Sequence, residues 1–143
     1  MTDTLGLYAL AESAGIPIIH YPLPETGSLS IQTEDMACFI GIDEGILPCE
    51  GDKKVHLAHE LGHCITGSFY NRYASRDLRS KKELQADKWA VEALISPEEL
   101  DNAVAMGCTD LWSLAEHFGV TEDFMRKVVC WYTHGNLAAE LYF

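Results

Sequence analysis

Residues 52–67 read DKKVHLAHELGHCITG, and the spacing of their apolar and polar positions decides how the rest of the chain is arranged. Leu57, Leu61 and Ile65 recur every four residues, the repeat of one face of an α-helix; Asp52 is placed to cap its start and Gly67 to end it. His59 and His63 are also four apart, so they share another face one turn from each other, with Glu60 a step further round. Two imidazoles so placed can bind one tetrahedral ion, and the neighbouring carboxylate stands beside the open coordination position as a candidate base. A chance His-Glu-x-x-His arises in roughly one chain of this length in a few hundred, so its weight comes from context. Here the context is a helix with an apolar opposite face, which a buried catalytic helix requires. The bland alternative is two unligated histidines on a solvent-facing helix.

A third ligand must come from elsewhere. Glu83 and Asp87 are again four apart, on the polar side of a second helix whose apolar positions are Ala86, Trp89, Ala90, Ala93 and Leu94. In that arrangement Glu83 binds the ion, and Asp87 accepts the second ring proton of a ligating histidine, fixing its tautomer. Glu83 has a competing explanation: Ser80 and Glu83 are spaced as a capping box, which needs no metal.

Outward from this centre, Leu5, Leu7, Ala9, Leu10 and Ala14 fit a short opening helix ended by Gly15, with Pro17 beyond. Ile16 to Leu23 and Cys38 to Ile42 are β-branched and aromatic runs, with a weaker alternating stretch from Ser28 to Gln32 between them, so two or three strands of a small sheet are expected. Ser96-Pro97-Glu98-Glu99 opens a further helix with a cap and a proline at its first position. Two more run from Asp110 to Phe118 and from Thr121 to about His134, divided by Gly119. The expectation is one α+β domain over residues 1–143: a small, mostly antiparallel sheet beside the active-site helix, and a helical C-terminal half.

With 143 residues and 48% of them apolar, the chain can bury a core without disulfide or metal staples. Cys38, Cys49, Cys64, Cys108 and Cys130 are odd in number and form no Cys-x-x-Cys pair, which suits reduced, mostly buried thiols. The first residues lack a basic, then apolar, leader, so a cytoplasmic protein with neither signal peptide nor membrane span is expected. A formal net charge of −12 opposes binding to nucleic acid or anionic membrane and favours a basic partner, although most of it is explained as a solvated acidic surface.

His59-Glu60-Leu61-Gly62-His63, followed by Glu83-Leu84-Gln85-Ala86-Asp87-Lys88-Trp89-Ala90, resembles the ImmA/IrrE metallopeptidases, whose motifs have the forms HELGH and ExxADxFA; Trp89 takes the place of the Phe. The resemblance extends to Glu12–Ile18, Phe39–Asp43 and Leu94–Pro97, and so covers most of the chain. It implies a gluzincin-type zinc endopeptidase with His59, His63 and Glu83 as ligands, Glu60 as the base and Asp87 supporting a ligand. It also implies a substrate class, the helix-turn-helix transcriptional repressors of phages and mobile elements. Many relatives carry an added DNA-binding or sensory domain, and a chain of this length is expected to be a stand-alone peptidase. His56, Tyr70, Tyr73 and Arg76 are candidates for the donor that steadies the oxyanion. His20, His117 and His134 lack ligand-like spacing and are read as structural.

Leu114 to Val128 has the rhythm of a helix-turn-helix, with Gly119 in the turn. Its second helix begins Thr121-Glu122-Asp123, setting two carboxylates where phosphates would approach, so packing on the peptidase core or gripping the substrate is preferred to DNA binding. Sequestration of a repressor without hydrolysis is a further alternative.

Overall fold

A computed structural model describes residues 2–141. Helix α1 (Thr4–Ser13) is capped by the Asp3 side chain and buries Leu7 and Ala11. The chain then forms strands β1 (Ile18–His20), β2 (Ser28–Gln32) and β3 (Cys38–Ile42). β3 lies in the middle, parallel to β1 and antiparallel to β2, and the five residue pairs of the antiparallel ladder outnumber the three of the parallel one. Ile40 and Ile42 of β3 are fully buried, because this strand has a neighbour on each side and α2 against its face. β2 is an edge, and its alternation is inverted. Ser28 is buried, Ser30 half-buried, and Leu29 and Ile31 are exposed, so the polar face turns inward.

Helix α2 (Glu50–Thr66) packs against β2, β3, α1 and, most extensively, α3 (Arg76–Leu94). It starts two residues before Asp52, at an N-cap Cys49 with no side-chain cap; Asp52 sits in the first turn, where its charge favours the helix and it accepts a bond from the Cys49 thiol. Leu57 and Leu61 are fully buried, whereas Ile65 is 43% exposed because the last turn runs past the sheet. α3 begins earlier than Ser80: Ser75 caps it through Leu78 N–H, so Ser80 lies inside the helix and the capping-box explanation of Glu83 falls away.

The C-terminal half is helical: α4 (Pro97–Ala105), α5 (Leu111–Phe118) and α6 (Glu122–His134), with a short 3₁₀ turn, Ala139–Leu141. The Ser96–Glu99 capping box, the Asp110 cap and the Thr121 cap all form. Phe118, Phe124, Met125 and Val128 join Leu57, Leu61, Val91 and Leu94 in one continuous core. All five cysteines are free; Cys130 is buried, Cys38, Cys64 and Cys108 are half-buried, and Cys49 is exposed on the loop that starts α2. No helix among the described residues is long and apolar enough to cross a membrane.

Candidate metal centre and active site

The site is the seam between α2 and α3. What allows the seam is Gly62, the fourth residue of the pentapeptide: a Cβ there would stand 2.5 Å from the Ala86 carbonyl oxygen and 3.0 Å from its Cα. With glycine facing alanine the two backbones meet closely, and the side chains on either side of the contact reach across it. His59 and His63 project from α2, their rings edge to face with centroids 4.8 Å apart. Glu83 projects from α3. Its Oε2 lies 2.7 Å from His59 Nε2 and 3.3 Å from His63 Nε2, and the three donor atoms lie within 4.8 Å of one another.

Each histidine is oriented from behind. His59 Nδ1–H donates to Asp87 Oδ1 at 2.8 Å, and His63 Nδ1–H donates to the Ser68 carbonyl at 2.6 Å. Ser68 is brought there by Gly67, which ends α2 in the left-handed conformation (φ 66°) and folds the chain back over His63. Both Nε2 atoms are thereby directed at Glu83. Asp87 is held in turn by Lys127 Nζ of α6, 3.0 Å from its Oδ2, and Glu83 Oε1 accepts from Tyr70 O–H at 2.8 Å. Lys127 and Ser68 carry no sequence motif. Their roles arise from a contact between distant elements and from a backbone carbonyl.

The protonation balance shows how strongly the site favours positive charge. Burial disfavours the charged form of His59, but the hydrogen bonds to Asp87 and Glu83 overcome it and raise its pKa to about 10. His63 is raised in the same sense, burial again opposing and Glu83 prevailing. His59, then His63, hold Glu83 well below the usual carboxylate range; Asp87 is also lowered, His59 and Lys127 outweighing burial. Two partly buried carboxylates thus draw a proton into the gap between three converging donor atoms, the place where a cation fits. Two imidazole nitrogens and one carboxylate oxygen with a side open to the cleft suit zinc, and 3.3 Å is roughly the separation of two ligands around a tetrahedral ion.

Glu60, 7% exposed, lies one residue from His59 and turns toward β2, not α3. Ser30 Oγ donates to its Oε1 and Ser28 Oγ to its Oε2, both at 2.7 Å, and Ser28 Oγ is also 2.7 Å from His56 Nδ1. The two serines were not singled out from the sequence. Their i, i+2 spacing, alternating with Leu29 and Ile31, is the signal that could have found them. All these groups line a cleft of about 620 Å³ between β2, α2, α3 and the start of α6, and it also receives Thr121, Asp123 and Phe124. Of the four candidate oxyanion donors, His56 and Tyr70 line this cleft; Tyr73 and Arg76 do not.

Residues 11–128 match the family model of the IrrE N-terminal-like domain, Peptidase M78. No curated protein matches the sequence. Among solved structures, a Mycobacterium tuberculosis transcriptional regulator is similar in fold, with a TM-score of 0.60 and 17% identity. The match covers 85% of this chain and 38% of that one, so the chain spans well under half the regulator's length. With its central 118 residues (11 to 128) matched and a group of His and Glu side chains able to hold a metal ion, this chain belongs to the Peptidase M78 family, a metallopeptidase-type domain.

Proposed function

We propose that the chain is a zinc-dependent endopeptidase acting on a protein substrate, with His59, His63 and Glu83 as ligands, Glu60 as general base and Asp87 as the group that orients His59. The observation that carries this reading is the convergence of three donor atoms within 4.8 Å at the open side of a cleft, with Glu60 fixed on the same helix. A bound zinc supplies Lewis acidity, polarising a carbonyl and acidifying a water. The protein's own groups do the rest. Glu60, held by two hydroxyls, accepts the proton of the attacking water and delivers it to the leaving amine. Asp87 and the Ser68 carbonyl keep the two imidazoles aligned while charge changes in front of them. β2 is an unpaired edge whose Ser28, Leu29 and Ser30 line the cleft, so an extended peptide can lie along it and pair through its backbone.

The proposed substrate is a cytoplasmic helix-turn-helix repressor of a phage or mobile element. This follows the family resemblance of the two motifs. The start of α6 lines the cleft with Thr121, Asp123 and Phe124, which favours a role in gripping substrate over one in reading DNA.

Elemental analysis of the purified protein tests the centre: about one zinc per chain is expected, lost or much weakened in His63→Ala and Glu83→Ala. Glu60→Gln should keep its zinc and lose cleavage of a randomised quenched-fluorophore peptide library. Absence of metal in the wild type, with none taken up at neutral pH, sinks the enzyme reading. Relief of repression by Glu60→Gln at the wild-type level would instead establish sequestration without hydrolysis.

A further inference from the structure

The chain of short contacts behind Glu60 has a direction that proton counting fixes. Ser28 Oγ carries one proton and stands 2.7 Å from both Glu60 Oε2 and His56 Nδ1. An ionised carboxylate only accepts, so the hydroxyl proton goes to Glu60, and the contact with His56 exists only if Nδ1–H donates to Ser28. We propose that Ser28 and Ser30 are positioning residues for Glu60, and that His56, its Nδ1–H committed to Ser28, presents Nε2 to the cleft as an acceptor for a backbone N–H of the bound peptide.

Three further observations agree. Both Glu60 oxygens are taken by hydroxyls from one face of one strand, so the carboxylate is clamped across its whole width in a nearly dry place. The His56 ring lines the cleft, and among the described residues its Nε2 has no hydrogen-bond partner. Burial favours the neutral ring at this position, which leaves a lone pair on Nε2 when Nδ1 holds the proton. Of the four oxyanion-donor candidates, His56 is thereby reassigned: with the ring neutral and Nδ1–H given to Ser28, Nε2 can only accept. Tyr70 remains as the hydroxyl facing the ion's side of the cleft.

The inference rests on the peptidase reading for its consequences but not for its first test. Long-range ¹⁵N–¹H correlation on the uniformly labelled protein, with and without zinc, reports which ring nitrogen carries the proton. His56 is expected to be the Nδ1–H form near pH 7.5 in the wild type, and Ser28→Ala is expected to release it to the Nε2–H form; His56→Gln identifies the signal. An Nε2–H ring in the wild type, or a tautomer indifferent to Ser28→Ala, overturns the proposal whatever the activity.

The second test uses the same quenched peptide library. Ser28→Ala and Ser30→Ala should keep their zinc and lose about tenfold to a hundredfold in kcat with little change in KM, the scale of a slightly misplaced catalytic group. Ser28→Thr should restore most of it. His56→Ala should raise KM more than it lowers kcat. Unchanged kcat in both serine variants, or a threonine no better than alanine, refutes the positioning role. If the zinc-loaded wild type cleaves nothing while the tautomer is as expected, the hydrogen-bond chain stands and the peptidase reading is what has failed.

Discussion

The α2–α3 pair and the α5–α6 pair are built from the same local signals and do different things. In each, the first helix ends on a left-handed glycine, Gly67 (φ 66°) or Gly119 (φ 65°), and the second is capped by a hydroxyl, Ser75 or Thr121. What differs is the seam. Between α5 and α6 lie Leu114, Phe118, Phe124 and Val128, all nearly or fully buried and apolar. Between α2 and α3 lie a glycine, an alanine and a set of histidines and carboxylates that satisfy one another and, in the proposed reading, a cation. The first seam is held by burial alone. The second gives up apolar area to bring charged groups together, and it depends on its neighbours: Lys54 of α2, 5% exposed, donates its Nζ proton to the Phe118 carbonyl at 2.7 Å, tying the two pairs.

Phe118→Ala should break the apolar seam with the largest effect. Removing a ring only 2% exposed costs about 4 kcal/mol of stability, read as a lower denaturant midpoint. Zinc content at low temperature should hardly change, since no donor atom is touched. Loss of metal equal to the loss of stability would show that the two seams are one cooperative unit.

Gly62→Ala strikes the polar seam. Its new Cβ meets backbone, 2.5 Å from the Ala86 oxygen, so a helix must move; a cost of about 2 to 3 kcal/mol is expected, with zinc affinity falling more than in Phe118→Ala. A variant that binds zinc like the wild type would mean that the close approach is not what aligns Glu83 with the histidines.

The same contrast explains what could be read in the sequence. Caps, glycines and apolar periods are local, so the helices α1 to α6 and a small sheet of two or three strands were legible, as were His59, Glu60, His63, Glu83 and Asp87 as a candidate set, because helical spacing places each pair on one face. The start of α3 was not, since Ser75 and Ser80 are both good caps and only tertiary contact selects between them. Ile65 fits the apolar repeat but overruns the sheet, and an exposed last turn has no local mark. Ser68 and Lys127 reach the site from a turn and a distant helix, and nothing in their own neighbourhoods announces it; Ser28 and Ser30 carry only their i, i+2 spacing on β2.

Acidity offers a gentler perturbation confined to the polar seam. In chelator, the raised His59 pKa contributes stability that is complete below its ordinary value of 6.5 and is lost as pH rises through about 10. Glu83 and Asp87, both lowered, contribute stability that is complete above their ordinary values of 4.5 and 3.8 and is lost as pH falls through the lower values of the folded state. Metal-free Tm should therefore peak between about pH 4.5 and 6.5. The gain in Tm on adding zinc should grow from pH 6 to 8, because binding displaces protons from the histidines. A metal-free Tm rising steadily from pH 6 to 10 contradicts the assignment.

The smallest effect tests the point where the two pairs touch. Lys127 sits on α6 but holds Asp87 of α3, which orients His59 of α2, so the ion would feel α6 through two intermediaries. Lys127→Met keeps the stem and removes the charge. Asp87 then keeps its bond to His59 but loses the one to Lys127 and gains freedom to rotate, which weakens its hold on the imidazole. Loss of a partner that orients a ligand directly costs about tenfold to a hundredfold in metal affinity; a group one step further back should cost less, about threefold. Competition with a chromogenic chelator measures it. Asp87→Asn alone and combined with Lys127→Met completes a double-mutant cycle: if Lys127 acts only through Asp87, adding its substitution to Asp87→Asn changes nothing further. Additive losses would mean that Lys127 reaches the centre by its own charge, and α6 would then belong to the electrostatics of the site as well as to its wall.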